Sequence, residues 1–208
     1  MFITFEGPDG SGKTTQIMLL VEHLQRAGHT IYHTREPGGT PIGDQIRDVL
    51  HDLKNEAMHP HTEILLYAAS RAQLVAQELR PRLQAGEIVI CDRYADSTLA
   101  YQGYGHGLDL ETLRTILTFA TGGLTPDLTL YLDITAEEGL QRRQRAAAQD
   151  GEEWNRMDAL SLAFHQRVRE GYLALIANDP ARWVTIPASG DRTAIQAQIQ
   201  DTVLARLL

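Results

Sequence analysis

"FITFEGPDGSGKTT", residues 2–15, is the stretch on which the fold turns. The apolar run Phe2–Phe5 reads as a strand. Three glycines, a lysine and two threonines follow at once, and a helical apolar period begins at Lys13, with Ile17, Leu20, Val21 and Leu24 on one face. Residues 7–14, "GPDGSGKT", fit the pattern G-x-x-x-x-G-K-[ST]. Glycines at 7, 10 and 12 let the loop bend so that backbone N–H groups face inward. The start of the helix adds the positive end of its dipole. Such a cradle binds nucleotide phosphates, and Gly7, Pro8, Asp9, Gly10, Ser11, Gly12, Lys13, Thr14 and Thr15 are its expected members. Lys13 is placed to reach the β and γ phosphates, and the Thr14 hydroxyl to hold Mg²⁺.

Outward from this loop, strand-like and helix-like stretches alternate. Further strands are expected at Thr30–Thr34, 87–92, 127–134 and 182–187. Helices are expected at Asp44–Leu53, Thr62–Ala85 with Pro81 kinking it or dividing its end, Leu110–Thr121, Ala136–Ala148, Met157–Asn178 and Thr193–Leu207. Such alternation implies a mostly parallel sheet of five strands covered by helices on both faces, an α/β fold of the P-loop NTPase kind. Residues 1–208 are expected to form one such domain. Ligands in such folds gather where strands end. The phosphate loop follows the first strand, "REPGG" the second and "DRY" the third.

Composition narrows the class. Hydrophobic residues make up 43% of the 208 and charged residues 22%, an ordinary globular balance. A formal charge of −8 argues against a general nucleic-acid or acidic-membrane binder. The one cysteine, Cys91, excludes an intramolecular disulfide and any cysteine-based zinc site. No apolar run approaches a membrane span. "MFITFEGPDG" lacks the basic start and cleavage site of a signal peptide, so a cytoplasmic enzyme is expected. The guanine-reading N-K-x-D of GTP switches is absent from the sequence.

The other motifs suit an acceptor. In "CDRYADSTLAYQG", 91–103, Asp92 ends an apolar strand and can act on Mg²⁺ or its waters. Arg93 offers a planar fork that can bridge donor and acceptor phosphates. Together with "TREPGGTPIGDQIRDVL", "EILLYAASRAQLV", "DLTLYLDITAEEGLQRR" and "FHQRVREGYLAL", these segments resemble the thymidylate kinase family along essentially the whole chain. The resemblance implies transfer of a phosphoryl group from ATP to dTMP, Mg²⁺ held at Thr14 and Asp92, and a homodimer. It implies that Asp9 takes the sugar 3′-hydroxyl, Tyr67 stacks on thymine and Arg71 hydrogen-bonds the base. Ser97 and Thr98 read the base edge, and Tyr101, with Gln102 beside it, crowds the sugar 2′ position. Arg35, Arg47 and Arg93 surround the monophosphate, next to Glu36 and Pro37.

Phosphoryl transfer needs positive charge on the transferring oxygens. Some members of the family carry an arginine inside the phosphate loop, but here positions 10 and 11 are Gly and Ser. The alternative is a small helical lid, which 140–158 fits, with Arg142, Arg143, Arg145 and Arg156 around a polar break. Arg142 and Arg143 are the catalytic candidates, alongside Lys13, Asp92 and Arg93, and either can also stack on adenine. Ala188 and Ser189, after the last strand, are the adenine-side candidates. The family often shows D-R-hydrophobic-E after the lid; here the residues are Asn155, Arg156, Met157 and Asp158, which leaves the anchoring of the lid open.

Overall fold

A computed structural model describes residues 1–149 and 154–207. Among them five strands form one sheet: β1 (Phe2–Glu6), β2 (Ile31–Arg35), β3 (Ile88–Asp92), β4 (Leu128–Asp133) and β5 (Trp183–Pro187). All neighbours are parallel, in the order β2-β3-β1-β4-β5. The three inner strands are the apolar ones, as burial on both faces requires. The edge strands β2 and β5 expose alternate residues. From β1 the chain runs to one edge through β2, and from β3 it crosses to the other side of β1. Loops after β1 and β3 therefore diverge and leave a crevice at the strand ends.

Helices cover both faces. They are α1 (Lys13–Arg26), α2 (Pro41–His51), α3 (Pro60–Leu74), α4 (Arg80–Gln84), α5 (Ala95–Thr98), α6 (Leu110–Thr121), α7 (Ala136–Gln149), α8 (Leu162–Asn178) and α9 (Arg192–Leu207). Strand alternation divides the core. Ile3 and Phe5 face Ile17, Leu20 and Leu24 of α1 and Ile195, Ile199 and Val203 of α9. Phe2, Val89 and Cys91 face the other way, toward Leu74, Val75 and Leu79. On that side Tyr131 and Trp183 meet Leu113 and Leu117 of α6 and Phe164, Val168 and Tyr172 of α8.

Element boundaries depart from the sequence expectation for local reasons. Helix α2 starts three residues early because Thr40 accepts the Gly43 N–H as its cap and Pro41 fits the first turn. Around Pro81 the end of the long helix is divided, the second of the two expected outcomes. A π turn, Val75–Leu79, stands between α3 and α4, a widening that accommodates the hydrogen bond Pro81 cannot donate. Helix α8 begins at Leu162, capped by Ser161, and not at Met157. Helix α5 and the π turn Leu99–Gly105 were not expected at all; "ADSTLAYQGYG" has no clean apolar stripe, and contact with α8 shapes it.

Leu20 is fully buried between α1 and the sheet. Leu20→Ala is expected to cost about 2–5 kcal/mol of stability, read as a shift of the urea midpoint at unchanged slope. A loss below about 1 kcal/mol would contradict this packing.

Candidate active site

Strand register brings three loops together. Phe5 of β1 and Arg35 of β2 both pair with Asp92 of β3. The loops beyond them line a cleft of about 390 Å³.

On one wall, the phosphate loop carries positive φ at Gly7, Gly10 and Gly12. A Cβ on Gly10 would lie 2.3 Å from the Gly139 carbonyl oxygen, and one on Gly139 would lie 2.5 Å from that of Asp9. Glycine at both positions lets α7 rest directly on the loop. Lys13 Nζ donates to the carbonyls of Gly7 (3.2 Å) and Pro8 (3.1 Å). Burial, then the Arg93 charge, lowers its pKa. The Thr14 hydroxyl donates to Asp92 Oδ2 at 3.0 Å, and Thr15 also lines the cleft. Ser11 is buried behind the loop.

Arg93 dominates the opposite wall. Its φ of 68° puts a non-glycine residue in the left-handed region, at a cost of roughly 1–2 kcal/mol. Its Nη2 donates to Asp9 Oδ1 (2.7 Å) and the Tyr101 hydroxyl (3.0 Å), and its guanidinium carbon stands 4.9 Å from the Tyr101 ring centre. Its Nη1 donates to the hydroxyls of Ser97 (3.2 Å) and Tyr172 (3.1 Å). Tyr101 completes the triangle by donating to Asp9 Oδ2 at 2.9 Å. Burial alone would raise the Asp9 carboxyl. The charges of Arg93 and Lys13, with hydrogen bonds from Arg93 and Tyr101, outweigh it and hold Asp9 ionised well below the usual carboxylate range.

Tyr67 and Arg71 lie deeper in the same cleft, on α3. Arg71 is buried, donating to Glu36 Oε2 (2.7 Å), Thr98 Oγ1 (3.1 Å) and the Tyr94 carbonyl (3.1 Å). Burial pushes the Glu36 carboxyl up against the pull of Arg71. Thr98 thus sits beside Arg71, whereas Ser97, grouped with it in the sequence, spends its proton on Glu6 Oε2 at 2.6 Å. Gln102 donates to buried Glu63 at 2.7 Å. Arg35, Pro37 and Arg47 line the remaining side, and Arg47 also donates to the Pro37 carbonyl at 3.1 Å.

Helix α7 carries Arg142 and Arg143, expected in a lid; residues 150–153 of that expected lid lie outside the described residues. Both Nη atoms of Arg142 reach the Ala188 carbonyl at 3.2 Å, and Nη1 reaches that of Gly10 at 3.4 Å. Ala188 joins the site through this carbonyl and not as part of the cleft wall. Arg143 grips Asp158 with two hydrogen bonds, 3.1 and 2.8 Å. Arg145 is exposed and away from the cleft. Arg156, also expected in the lid, is buried, paired with Glu63 and bonded to the Leu50 carbonyl at 3.0 Å. The altered motif still anchors the segment. Asn155 Oδ1 accepts the N–H groups of Met157 (2.8 Å) and Asp158 (3.3 Å), and Asp158 holds Arg143.

Sequence reasoning passed over Glu6, His51, Glu63 and Tyr172. Glu6, the acidic end of an otherwise uncharged strand, was the most visible of them; burial, then Asp96, pushes its carboxyl up to about 7. Glu63 is held down at about 2: burial opposes ionisation, but His106, Arg156 and Gln102 prevail. His51 ends α2 on the cleft wall, and burial followed by the Arg47 charge lowers its imidazole to about 4.

A parallel sheet of this order, a glycine-rich phosphate loop feeding α1 and a facing wall of arginines define a P-loop nucleotide kinase. Within that class the chain belongs to the thymidylate kinase family, whose model matches residues 5–199. It is 55% identical over 207 residues to the thymidylate kinase of Roseiflexus castenholzii, covering 96% of this chain and 90% of that protein. It is 50% identical to that of Trichlorobacter lovleyi, covering 100% and 98%. The crystal structure of thymidylate kinase from Ehrlichia chaffeensis matches with a TM-score of 0.77 at 32% identity, over 98% of each chain.

His51 makes a test of the cleft wall. With its pKa moved from 6.5 to about 4, the unfolded chain takes up a proton below pH 6.5 that the folded chain refuses. Stability is therefore full above pH 6.5 and falls as pH drops toward 4, by on the order of 2 kcal/mol. Urea midpoints of wild type and His51→Leu should run parallel above pH 6.5 and converge or cross below it, in favour of the variant. Curves parallel throughout would refute a neutral buried imidazole.

Proposed function

We propose that this chain transfers the γ-phosphoryl group of ATP to dTMP, giving dTDP and ADP, with the phosphate loop as donor cradle and the Arg93–Asp9–Tyr101 triangle as acceptor seat. One observation carries the assignment of sites. Arg93 lies 2.7 Å from Asp9, so the fork expected on the acceptor phosphate is tied to the loop expected on the donor.

Lys13, freed from its two carbonyls, pairs with the β and γ phosphates. Thr14 and Asp92 are two hard oxygen donors 3.0 Å apart, and would hold Mg²⁺, which takes one or two protein oxygens and fills its shell with phosphate and water. When bound, the ion neutralises charge on the transferring phosphates. Arg93 and the α7 arginines Arg142 and Arg143 add positive charge where the loose transition state spreads its negative charge. Asp9, ionised by its neighbours, accepts the sugar 3′-hydroxyl and fixes the acceptor's approach. Tyr101 crowds the 2′ position. Tyr67 stacks on thymine, with Arg71 and Thr98 at the base edge, and Arg35 and Arg47 flank the monophosphate. Residues 1–208 act as one kinase domain in the cytoplasm.

The working unit is a homodimer. Leu65 on α3 is 60% exposed and Phe119 on α6 is 91% exposed, and these two helices pack side by side. Burying two such exposed apolar side chains suits a second copy of the same helices.

Two measurements test this reading. ADP release with ATP·Mg²⁺ should be fastest with dTMP among dTMP, dUMP, dCMP, AMP and thymidine. Arg93→Ala should lower kcat by about a hundredfold or more while remaining folded. Turnover of another acceptor with dTMP inert would remove the base assignments; an active Arg93→Ala would remove the acceptor seat. For the dimer, light scattering should give twice the 23.2 kDa chain mass, and Phe119→Glu should shift it to one. A monomeric wild type would sink the interface.

A further inference from the structure

Glu6 is fully buried at the end of β1, beneath the phosphate loop, and does not line the cleft. Its Oε1 accepts the Tyr94 N–H at 2.8 Å. Its Oε2 accepts two hydroxyl protons, from Ser97 at 2.6 Å and from Tyr172 at 2.7 Å. The same two hydroxyl oxygens accept Nη1 of Arg93. We infer that Glu6 is a positioning residue for phosphoryl transfer, holding one prong of the Arg93 fork through the hydroxyls of Ser97 and Tyr172. The inference rests on the role proposed above for Arg93.

Hydrogen-bond polarity makes Glu6 decide which way the two hydroxyls face. A hydroxyl has one proton and two lone pairs. Ser97 comes from α5 and Tyr172 from α8, and their hydroxyls stand 2.9 Å apart, so without an acceptor beneath them one can donate to the other while the remaining proton turns toward the guanidinium, which also only donates. In its carboxylate form the Glu6 oxygen takes both protons downward, so that both hydroxyls present lone pairs upward. Nη2 is fixed independently by Asp9 and Tyr101. With both prongs held, the guanidinium plane cannot rotate, and its backbone is already set in the left-handed region. Glutamine at position 6 keeps the shape and reverses the polarity. If its carbonyl keeps the Tyr94 N–H, its amide N–H₂ faces the hydroxyls and pushes their protons toward Arg93.

The test is a double-mutant cycle on the full chain, by ADP release with ATP·Mg²⁺ and dTMP, using Glu6→Gln, Arg93→Lys and the pair. Glu6→Gln is expected to lower kcat about 10- to 100-fold with KM for ATP within about twofold of wild type. In the Arg93→Lys background, which lacks the fork, Glu6→Gln should cost less than about threefold more. Equal losses in both backgrounds, or a rise in KM for ATP matching the fall in kcat, would overturn the inference and mark Glu6 as a general support of the loop. Should Glu6→Gln not fold, Tyr172→Phe decides. It removes one relay hydroxyl, and should lower kcat about 3- to 10-fold in wild type but not in Arg93→Lys; additivity there refutes the relay. Full activity in Arg93→Lys would overturn the proposed role of the fork itself, and this inference with it.

Discussion

Arg93 is a guanidinium drawn into the cleft wall with its side chain 15% exposed, and the site is arranged around its demand for partners. A buried cation left unpaired is strongly destabilising. Here four oxygens from four parts of the chain meet it: Asp9 from the phosphate loop, Ser97 from α5, Tyr101 from the turn that follows and Tyr172 from α8. Each of those groups is oriented in turn. Asp9 is kept ionised, Tyr101 bonds to Asp9, and Glu6 takes the protons of Ser97 and Tyr172. The strained backbone of Arg93 survives because this set over-determines it.

Parallel register makes that meeting possible. Because Phe5 pairs with Asp92, the loop after β1 and the corner after β3 leave the sheet side by side. Two further ion pairs tie outlying segments to this centre. Arg143 with Asp158 joins α7 to the turn before α8, and Arg156 with Glu63 joins that turn to α3 beside Tyr67. The contact of Gly10 with Gly139 sets α7 on the loop itself. A backbone contact and two ion pairs thus link the phosphate loop to α7, α7 to the turn before α8, and that turn to α3.

Much of the fold was legible because it is written in local patterns. The apolar runs of β1, β3 and β4 and the helical period of α1 and α6 needed only periodicity and burial. The irregular segment 95–105 was not legible, since its π turn has no local period and is shaped by packing against α8. The site divides in the same way. Lys13, Thr14 and the loop glycines belong to one contiguous motif, and Asp92 and Arg93 stand at a strand end. Glu63, His51 and Tyr172 carry no local mark; they matter through partners as much as 166 positions away in sequence.

The sequence by itself determined the parallel α/β class, the phosphate loop and the family, because each rests on residues adjacent in the chain or at fixed short spacing. Only the tertiary structure decided which charges pair. It paired Arg156 with Glu63, turned Ser97 toward Glu6, and tied Asn155 and Asp158 into the turn before α8 and to Arg143, an anchoring that the altered motif left open. The reason is physical: a buried charge or hydroxyl takes whichever partner the fold brings within about 3 Å, and chain order does not reveal that distance.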